Sequence, residues 1–233
     1  MARITRKELK SDKFALEVEH TVSFFEEHRK EIIRYGAIAL AAVALVLAFF
    51  TYQRHQRSAR EQALARAIQL QEAPVGPANP NVAVTFPTQD AKDQATVKAF
   101  SGLVTQYSGS AEGEIAQYYL GAIQADQGKL ADAEKTFKAV AQNASENYAS
   151  LAKLSLAQVY YAEGKDADGE ALLRDLMAHP TMFVSKEQAI VSLARSVMVK
   201  NPAEARKLLD PLKTQGGPVG QMVLTLWGQL PPQ

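Results

Sequence analysis

The strongest candidate for a ligand site in the sequence is the acidic run DADGE at residues 166–170. Carboxylates at alternate positions before a glycine are typical of calcium loops, which also need a third oxygen ligand and a bidentate glutamate at the twelfth position. The third ligand is missing, and Met177 stands at the twelfth position. The pattern therefore predicts the solvated start of a helix and no calcium site.

Side chains suited to catalysis are sparse along the chain. The absence of cysteine excludes thiolate nucleophiles, zinc–thiolate sites and disulfides. The four histidines have no metal-binding helical spacing, and no phosphate-binding glycine loop occurs. Ser108-Gly109-Ser110 has neither a nucleophile-elbow pattern nor a nearby histidine. We expect a non-enzymatic protein without a metal or cofactor.

The composition indicates helices and gives no reason to expect a nucleic-acid partner. Lysine and arginine number 26 against 25 aspartate and glutamate, so no basic excess is available for phosphate contacts. Hydrophobic residues make up 47% of the chain but aromatic residues only 8%, and alanine is abundant. Alanine is the strongest helix former and lets helices approach closely. We therefore predict an all-α fold.

A membrane span is the clearest element, because residues 35–53 carry no charge in the run YGAIALAAVALVLAFFTYQ. At 1.5 Å per residue this run reaches about 28 Å, which nearly equals the hydrocarbon core of a bilayer. A polar tail of 34 residues precedes it, unlike the short start of a signal peptide. We predict an uncleaved anchor, with Ala37, Ala41, Ala44 and Ala48 as a smooth stripe for another membrane helix.

The tail at residues 1–34 is predicted to lie in the cytoplasm. It carries eight lysines and arginines, against four in the flank that follows the span, and the side richer in these residues stays inside. Phe14, Val18, Val22 and Phe25 form one stripe of an amphipathic helix. That helix could lie on the membrane, dock on a partner or simply continue toward the span, and the sequence does not choose.

The remaining chain divides by its proline content and an internal repeat. We predict a juxtamembrane helix over residues 54–72, a proline-rich linker over residues 73–88 and a repeat domain over residues 89–233. Within the domain, LGAIQADQGKLADAEKTF and LAQVYYAEGKDADGEALL align at a period of 36 residues. Such spacing predicts a helix that ends at a glycine with positive φ, followed by an antiparallel partner.

The aligned residues resemble the tetratricopeptide repeat, whose pattern is L-G-x-x-Y, then Gly, then A-x-x-x-F, then Pro. Gln124 replaces the tyrosine of the first copy, and Gly169 replaces the alanine of the second. A weaker third copy covers residues 192–209, residues 91–107 resemble the returning helix of an incomplete copy, and residues 216–230 a capping helix with Trp227. The matching residues are Leu120, Gly121, Gly128, Ala133 and Phe137, and then Leu156, Tyr160, Gly164 and Pro180.

The order of tail, span, arginine- and glutamine-rich flank and divergent repeats also resembles the YfgM-like family of ancillary subunits of the SecYEG translocon. This resemblance implies a single-pass protein of the bacterial inner membrane, with a cytoplasmic amino terminus and periplasmic repeats. It also implies contact with the translocon and with periplasmic chaperones that handle exported proteins.

Two functional classes follow from these patterns. One is a membrane-tethered scaffold whose groove holds a partner or an unfolded client, and the other is an assembly element that anchors or oligomerises an envelope complex in cell division or outer-membrane biogenesis. We expect Tyr118, Gln158 and Tyr161 at the surface, whereas Leu151 and Leu154 could equally be core. By the resemblance, the groove positions fall on Tyr118, Ala122, Leu151, Leu154, Gln158 and Tyr161.

Overall fold

The structure is a computed structural model that describes residues 29–77 and 83–231. These ranges hold nine α-helices and a 3₁₀ turn, Asp210–Leu212, between α8 and α9. The amphipathic helix expected around residues 14–25 lies outside the described residues. The helices are α1 Arg29–Glu72, α2 Gln89–Gln106, α3 Ala111–Asp126, α4 Leu130–Asn143, α5 Glu146–Ala162, α6 Asp166–Ala178, α7 Lys186–Val197, α8 Pro202–Leu209 and α9 Gly217–Gln229.

From α2 onward the helices pack mainly on their neighbours in the sequence. Helix α4 lies against α3 and α5, α6 lies against α5 and α7, and α8 packs on α7 and α9. The pairs α3–α4, α5–α6 and α7–α8 are therefore successive hairpins of an α-solenoid. This arrangement confirms the predicted all-α repeat fold.

Two glycines end the first helices of the repeated hairpins as the sequence predicts. Gly128 has φ +72° and Gly164 has φ +76°. The Lys165 amide donates to the Tyr160 carbonyl at 2.8 Å and the Gly164 amide to the Tyr161 carbonyl at 3.2 Å. These bonds satisfy carbonyls that a helix end leaves free, and the left-handed residue lets the chain reverse.

Replacing Gly164 by Ala tests this turn. We expect a loss of about 1 to 2 kcal/mol in the free energy of unfolding, because a β-carbon disfavours the left-handed region. Gly102→Ala is the matched control, since Gly102 lies inside α2 with open space around the new β-carbon. That change should stabilise the chain by about 0.5 to 1 kcal/mol. Chemical denaturation measures both, and equal effects would contradict this role of Gly164.

Small residues set the distance between the helices of each hairpin. A β-carbon on Gly121 would lie 2.9 Å from the Phe137 ring, so α3 and α4 meet there without room for a side chain. Ala133 and Phe137 are buried on α4, and Leu173 is buried at the corresponding place on α6. The close approach expected from the repeat pattern is therefore present.

The lysine that follows the turn glycine links consecutive hairpins. Lys165 Nζ donates to Glu134 Oε2 at 2.7 Å and lies 5.6 Å from the centre of the Tyr160 ring. Hydrogen bonds from Lys138 and Lys165 lower the pKa of Glu134 to about 2. The ion pair therefore persists at neutral pH and ties α4 to the turn before α6.

The compact repeat unit begins inside α1, where the chain divides between Ala59 and Arg60. Leu64 and Ala67 are buried in a cluster with side chains of α2 and α3, and Arg60 Nε donates to Glu112 Oε2 at 3.0 Å. Sequence analysis separated residues 54–72 from a domain beginning at residue 89. In the structure, the end of α1 contributes Leu64 and Ala67 to the core that α2 and α3 also form.

The described parts of the proline-rich segment at residues 73–88 contact each other. Val75 and Phe86 form a parallel bridge, in which the Gly76 amide donates to the Phe86 carbonyl at 2.9 Å and the Phe86 amide to the Pro74 carbonyl at 3.0 Å. Ala73 is buried. The two described ends of the segment are thus joined beside the first helices of the repeat unit.

Candidate functional site

The groove positions predicted from sequence lie on the first helices of two consecutive hairpins, α3 and α5. Tyr118 on α3 corresponds to Leu154 on α5 at the 36-residue period. Alignment of Leu156 with Leu193 carries Leu154 and Gln158 forward to residues 191 and 195 of α7. The structure shows which residues at these equivalent repeat positions share a surface.

Leu154 and Gln158 line an open trough between α5, α7 and α9, with a volume of about 350 Å³. Leu154 is almost fully buried on its floor, whereas Gln158 is exposed. The opposite walls come from Gln188, Val191 and Arg195 of α7 and from Met222 of α9, among others. We call this depression, defined by these residues together with Leu154 and Gln158, the α5–α7–α9 trough.

Tyr118 and Ala122 do not reach the trough. Both pack, partly buried, against the cluster formed by α4 and α5. The Tyr118 ring centre lies 5.8 Å from that of Phe137, and its hydroxyl lies 3.4 Å from Ser155 Oγ. These contacts give Tyr118 a packing role between hairpins while the residue stays partly exposed, and its use in partner binding stays a prediction.

Tyr161 and Leu151 pack against the neighbouring cluster of α6 and α7. A β-carbon on Gly169 would lie 2.8 Å from the Tyr161 ring, so glycine takes the alanine position of the second copy to admit this tyrosine. Among the described residues the buried Tyr161 hydroxyl has no hydrogen-bond partner. Tyr161 is therefore only partly exposed, with its ring against α6, and its place in a partner-binding groove stays a prediction.

Tyr161→Phe tests the unpaired hydroxyl. We expect unchanged or higher stability, by up to about 1 kcal/mol, because the variant no longer buries an unsatisfied polar group. Burial also raises the pKa of Tyr161 to about 12, so the wild type should lose stability between pH 10 and pH 12, where tyrosine ionises only in the unfolded chain. The variant should lose less over that range. A marked loss of stability at neutral pH would reveal a hydrogen bond to this hydroxyl.

Sequence reasoning missed the α7 and α9 walls of the trough. Arg195 could have been found by carrying Gln158 forward to the third copy, which has a clear Leu193-Ala194 match. The contribution of Met222 had no such signal, because α9 follows no repeat pattern. The position of α9 depends on Trp227. The centre of the Trp227 ring lies 4.0 Å from Lys213 Nζ and 5.3 Å from the Arg206 guanidinium.

A family model described as a tetratricopeptide repeat-like domain matches residues 23–189, well over half of the chain. The chain belongs to the tetratricopeptide repeat-like domain family. The matched range of this tetratricopeptide repeat-like protein includes the uncharged run at residues 35–53 and both of the aligned repeat copies. Such repeat domains bind other proteins and are typically not catalytic.

Solved structures agree on the fold. Two crystal structures of TPR-like repeats from Podosopora anserina, described as nearly identical repeats of a putative kinesin light chain, align at 16% identity and cover 72% of this chain. One covers 87% of the solved chain with a TM-score of 0.51. The other, a variant of the same repeats with a single substitution, covers 86% with a TM-score of 0.52. No curated protein matches the sequence.

The first part of α1 presents a second surface of this repeat protein. A window of α1 has a mean hydropathy of 2.3 and is not buried at all, so by length and composition the helix could cross a membrane. Leu40 and Leu45 are each 72% exposed. The alanine stripe of Ala37, Ala41, Ala44 and Ala48 is also exposed, and its use as a helix interface stays a prediction.

The acidic run at residues 166–170 is occupied by ion pairs. Asp166 accepts a hydrogen bond from Lys200, and Glu170 Oε1 accepts one from Arg174 at 2.7 Å. In the described part of the chain, no group of three or more histidine, aspartate and glutamate side chains is arranged to hold a metal ion. The Asp166 carboxylate therefore ties the start of α6 to Lys200, whereas the Glu170 pair lies within α6.

Proposed function

We propose that this protein is a membrane-anchored scaffold that holds other proteins on its tetratricopeptide repeat-like unit. The membrane anchor is supported by the exposed apolar surface of α1. Residues 35–53 contain no charge, and large side chains such as Leu45 and Phe50 are mostly exposed. Water would oppose so large an apolar patch, whereas a lipid bilayer would accept it.

The repeat unit supports the scaffold part of the proposal. Its hairpins form a solenoid with a lateral trough, and solenoids of this family present extended surfaces to partners. Ion pairs between hairpins, such as that of Lys165 with Glu134, stabilise the repeat arrangement. A preformed surface of this kind binds without a large ordering cost.

We further propose that this protein lies beside the Sec translocon, where its repeats assist periplasmic chaperones with exported proteins. Its support is the resemblance of the tail, span and flank to the YfgM-like family. In this proposal the protein is a single-pass component of the bacterial inner membrane, with the tail in the cytoplasm and the repeats in the periplasm.

Cysteine labelling tests the topology cleanly, because the chain has no cysteine of its own. Val199 is 88% exposed, so a membrane-impermeant maleimide should label the Val199→Cys variant in intact spheroplasts. The Ser11→Cys variant should react only after the membrane is opened, since the basic tail stays in the cytoplasm. Labelling in the reverse order would contradict the proposed orientation.

Photo-crosslinking in native membranes distinguishes the scaffold from the assembly element. A photoreactive amino acid at exposed Gln188, in the trough, should capture translocon subunits, chaperones or unfolded exported chains. The control is a photoreactive amino acid at Thr105 on α2, which is also exposed but does not line the trough. Capture of a single stable envelope subunit, with no exported chain, would favour the assembly element instead. Capture of another copy of this chain would indicate homo-oligomerisation.

A further inference from the structure

The α5–α7–α9 trough has the length of a short extended peptide. One stripe runs along it from Ser185, which caps α7, through Gln188, Ser192 and Arg195 of that helix, at helical spacings of three, four and three. These residues extend over about 15 Å of helix, which equals four or five residues of extended chain at about 3.3 Å each. The trough is thus an elongated site.

Its lining combines an apolar floor with free side-chain amides. Leu154 and Val191 are 7% and 4% exposed, and Met222 forms a wall at 45% exposed. Within the described part of the chain, the side-chain amides of Gln158 and Gln188 have no hydrogen-bond partner. An amide both donates and accepts, so these groups match the N–H and C=O of a peptide backbone, while the floor accepts an apolar side chain.

Arg195 is the single charged residue among those that line the trough. In the part of the chain that the structure describes it forms no ion pair, although the neighbouring helices carry several, such as Arg174 with Glu204. A guanidinium binds a carboxylate through charge-assisted hydrogen bonds and can do so in bidentate fashion. The charge at this end of the trough therefore complements an anionic group.

We propose that the trough binds an extended peptide segment that places one aliphatic side chain over Leu154 and Val191 and one carboxylate on Arg195. This inference rests on the proposed scaffold function and specifies the chemistry of its partner. Segments without an acidic residue bind weakly, because the single cation is then left without its counter-charge. Met222 adapts to aliphatic side chains of different shape, because methionine is unbranched and flexible.

Two labelled peptides test the inference on the full-length chain in detergent micelles. The probes are fluorescein-labelled Gly-Leu-Gly-Leu-Asp-Gly amide and the same peptide with Asn in place of Asp. By fluorescence polarisation, the wild type should bind the Asp peptide about tenfold more tightly than the Asn peptide, as expected for one charge-assisted contact. Arg195→Gln should remove this preference, and Lys186→Gln, which changes an exposed cation of the same helix outside the trough, should keep it.

The inference is overturned if the wild type binds neither peptide, if it binds both equally, or if Arg195→Gln keeps the preference for Asp. The comparison of the two peptides on the wild type needs no variant, so it stands even if a substitution harms folding. Failure here leaves the broader proposal intact as long as Val199→Cys is labelled from outside and crosslinks at Gln188 recover exported chains.

Discussion

Phe137→Ala should unfold much of the repeat unit. Phe137 is 1% exposed, lies against Gly121 of α3 and packs within the cluster of α4 and α5. Deleting a buried aromatic side chain costs about 3 to 5 kcal/mol, because its contacts are lost and a cavity is left. Whole domains are stable by only about 5 to 15 kcal/mol. Circular dichroism during urea unfolding of the chain should show a much lower midpoint.

Phe183→Ala is the matched control for this change. Phe183 is 39% exposed and packs edge-on to Tyr148 with a centroid distance of 5.4 Å. Because much of its ring already meets water, we expect a loss of about 1 kcal/mol or less. Similar losses for Phe137 and Phe183 would contradict the packing described for α3 and α4.

Leu45→Arg should release the protein from the membrane. Residue 45 lies near the centre of the uncharged run, where leucine contributes about −0.5 kcal/mol to insertion and arginine opposes it by about 2.5 to 3.5 kcal/mol. The change of about 3 to 4 kcal/mol is comparable to the few kcal/mol that favour insertion of the run. After carbonate extraction, the wild type should stay in the membrane pellet and the variant should appear mainly in the soluble fraction or be degraded.

His55→Arg adds a positive charge just beyond the run and should leave membrane retention unchanged. Arg54 and Arg57 already flank it, so a further charge there stays in the interfacial water. If Leu45→Arg is retained as firmly as His55→Arg, the apolar surface of α1 has another use and the anchor proposal fails.

The sequence was sufficient for the repeat architecture because the residues that fix it are local. Gly164 and Gly128 mark reversals that only a few neighbouring residues determine, and Gly121 is small at the place where Phe137 approaches. These positions follow a 36-residue period, so the hairpins could be predicted without knowledge of distant contacts. The capping helix with Trp227 follows no repeat pattern and was predictable from its place alone, since it comes after the last repeat and a break at Gly216 and Gly217.

The interaction surface was less predictable because a helical period does not say which neighbour a side chain meets. Tyr118 and Leu154 occupy the same repeat position, yet Tyr118 packs against Phe137 while Leu154 lies on the trough floor. The surroundings of these two residues differ because different helices follow them in the solenoid. Helices α7 and α9 leave open space beside α5, and α9 is held by contacts such as that between Arg206 and Trp227.

The pairing of each helix with its sequence neighbours has a consequence for how the chain folds during synthesis. Contacts between nearby residues form quickly, because little loop entropy must be lost before they form. Each hairpin finds its support in the hairpin that emerged before it, so folding can proceed from α2 toward α9 while the rest of the chain is still unfolded. The last helix then completes the α5–α7–α9 trough, so the proposed binding surface is the last part of the molecule to form.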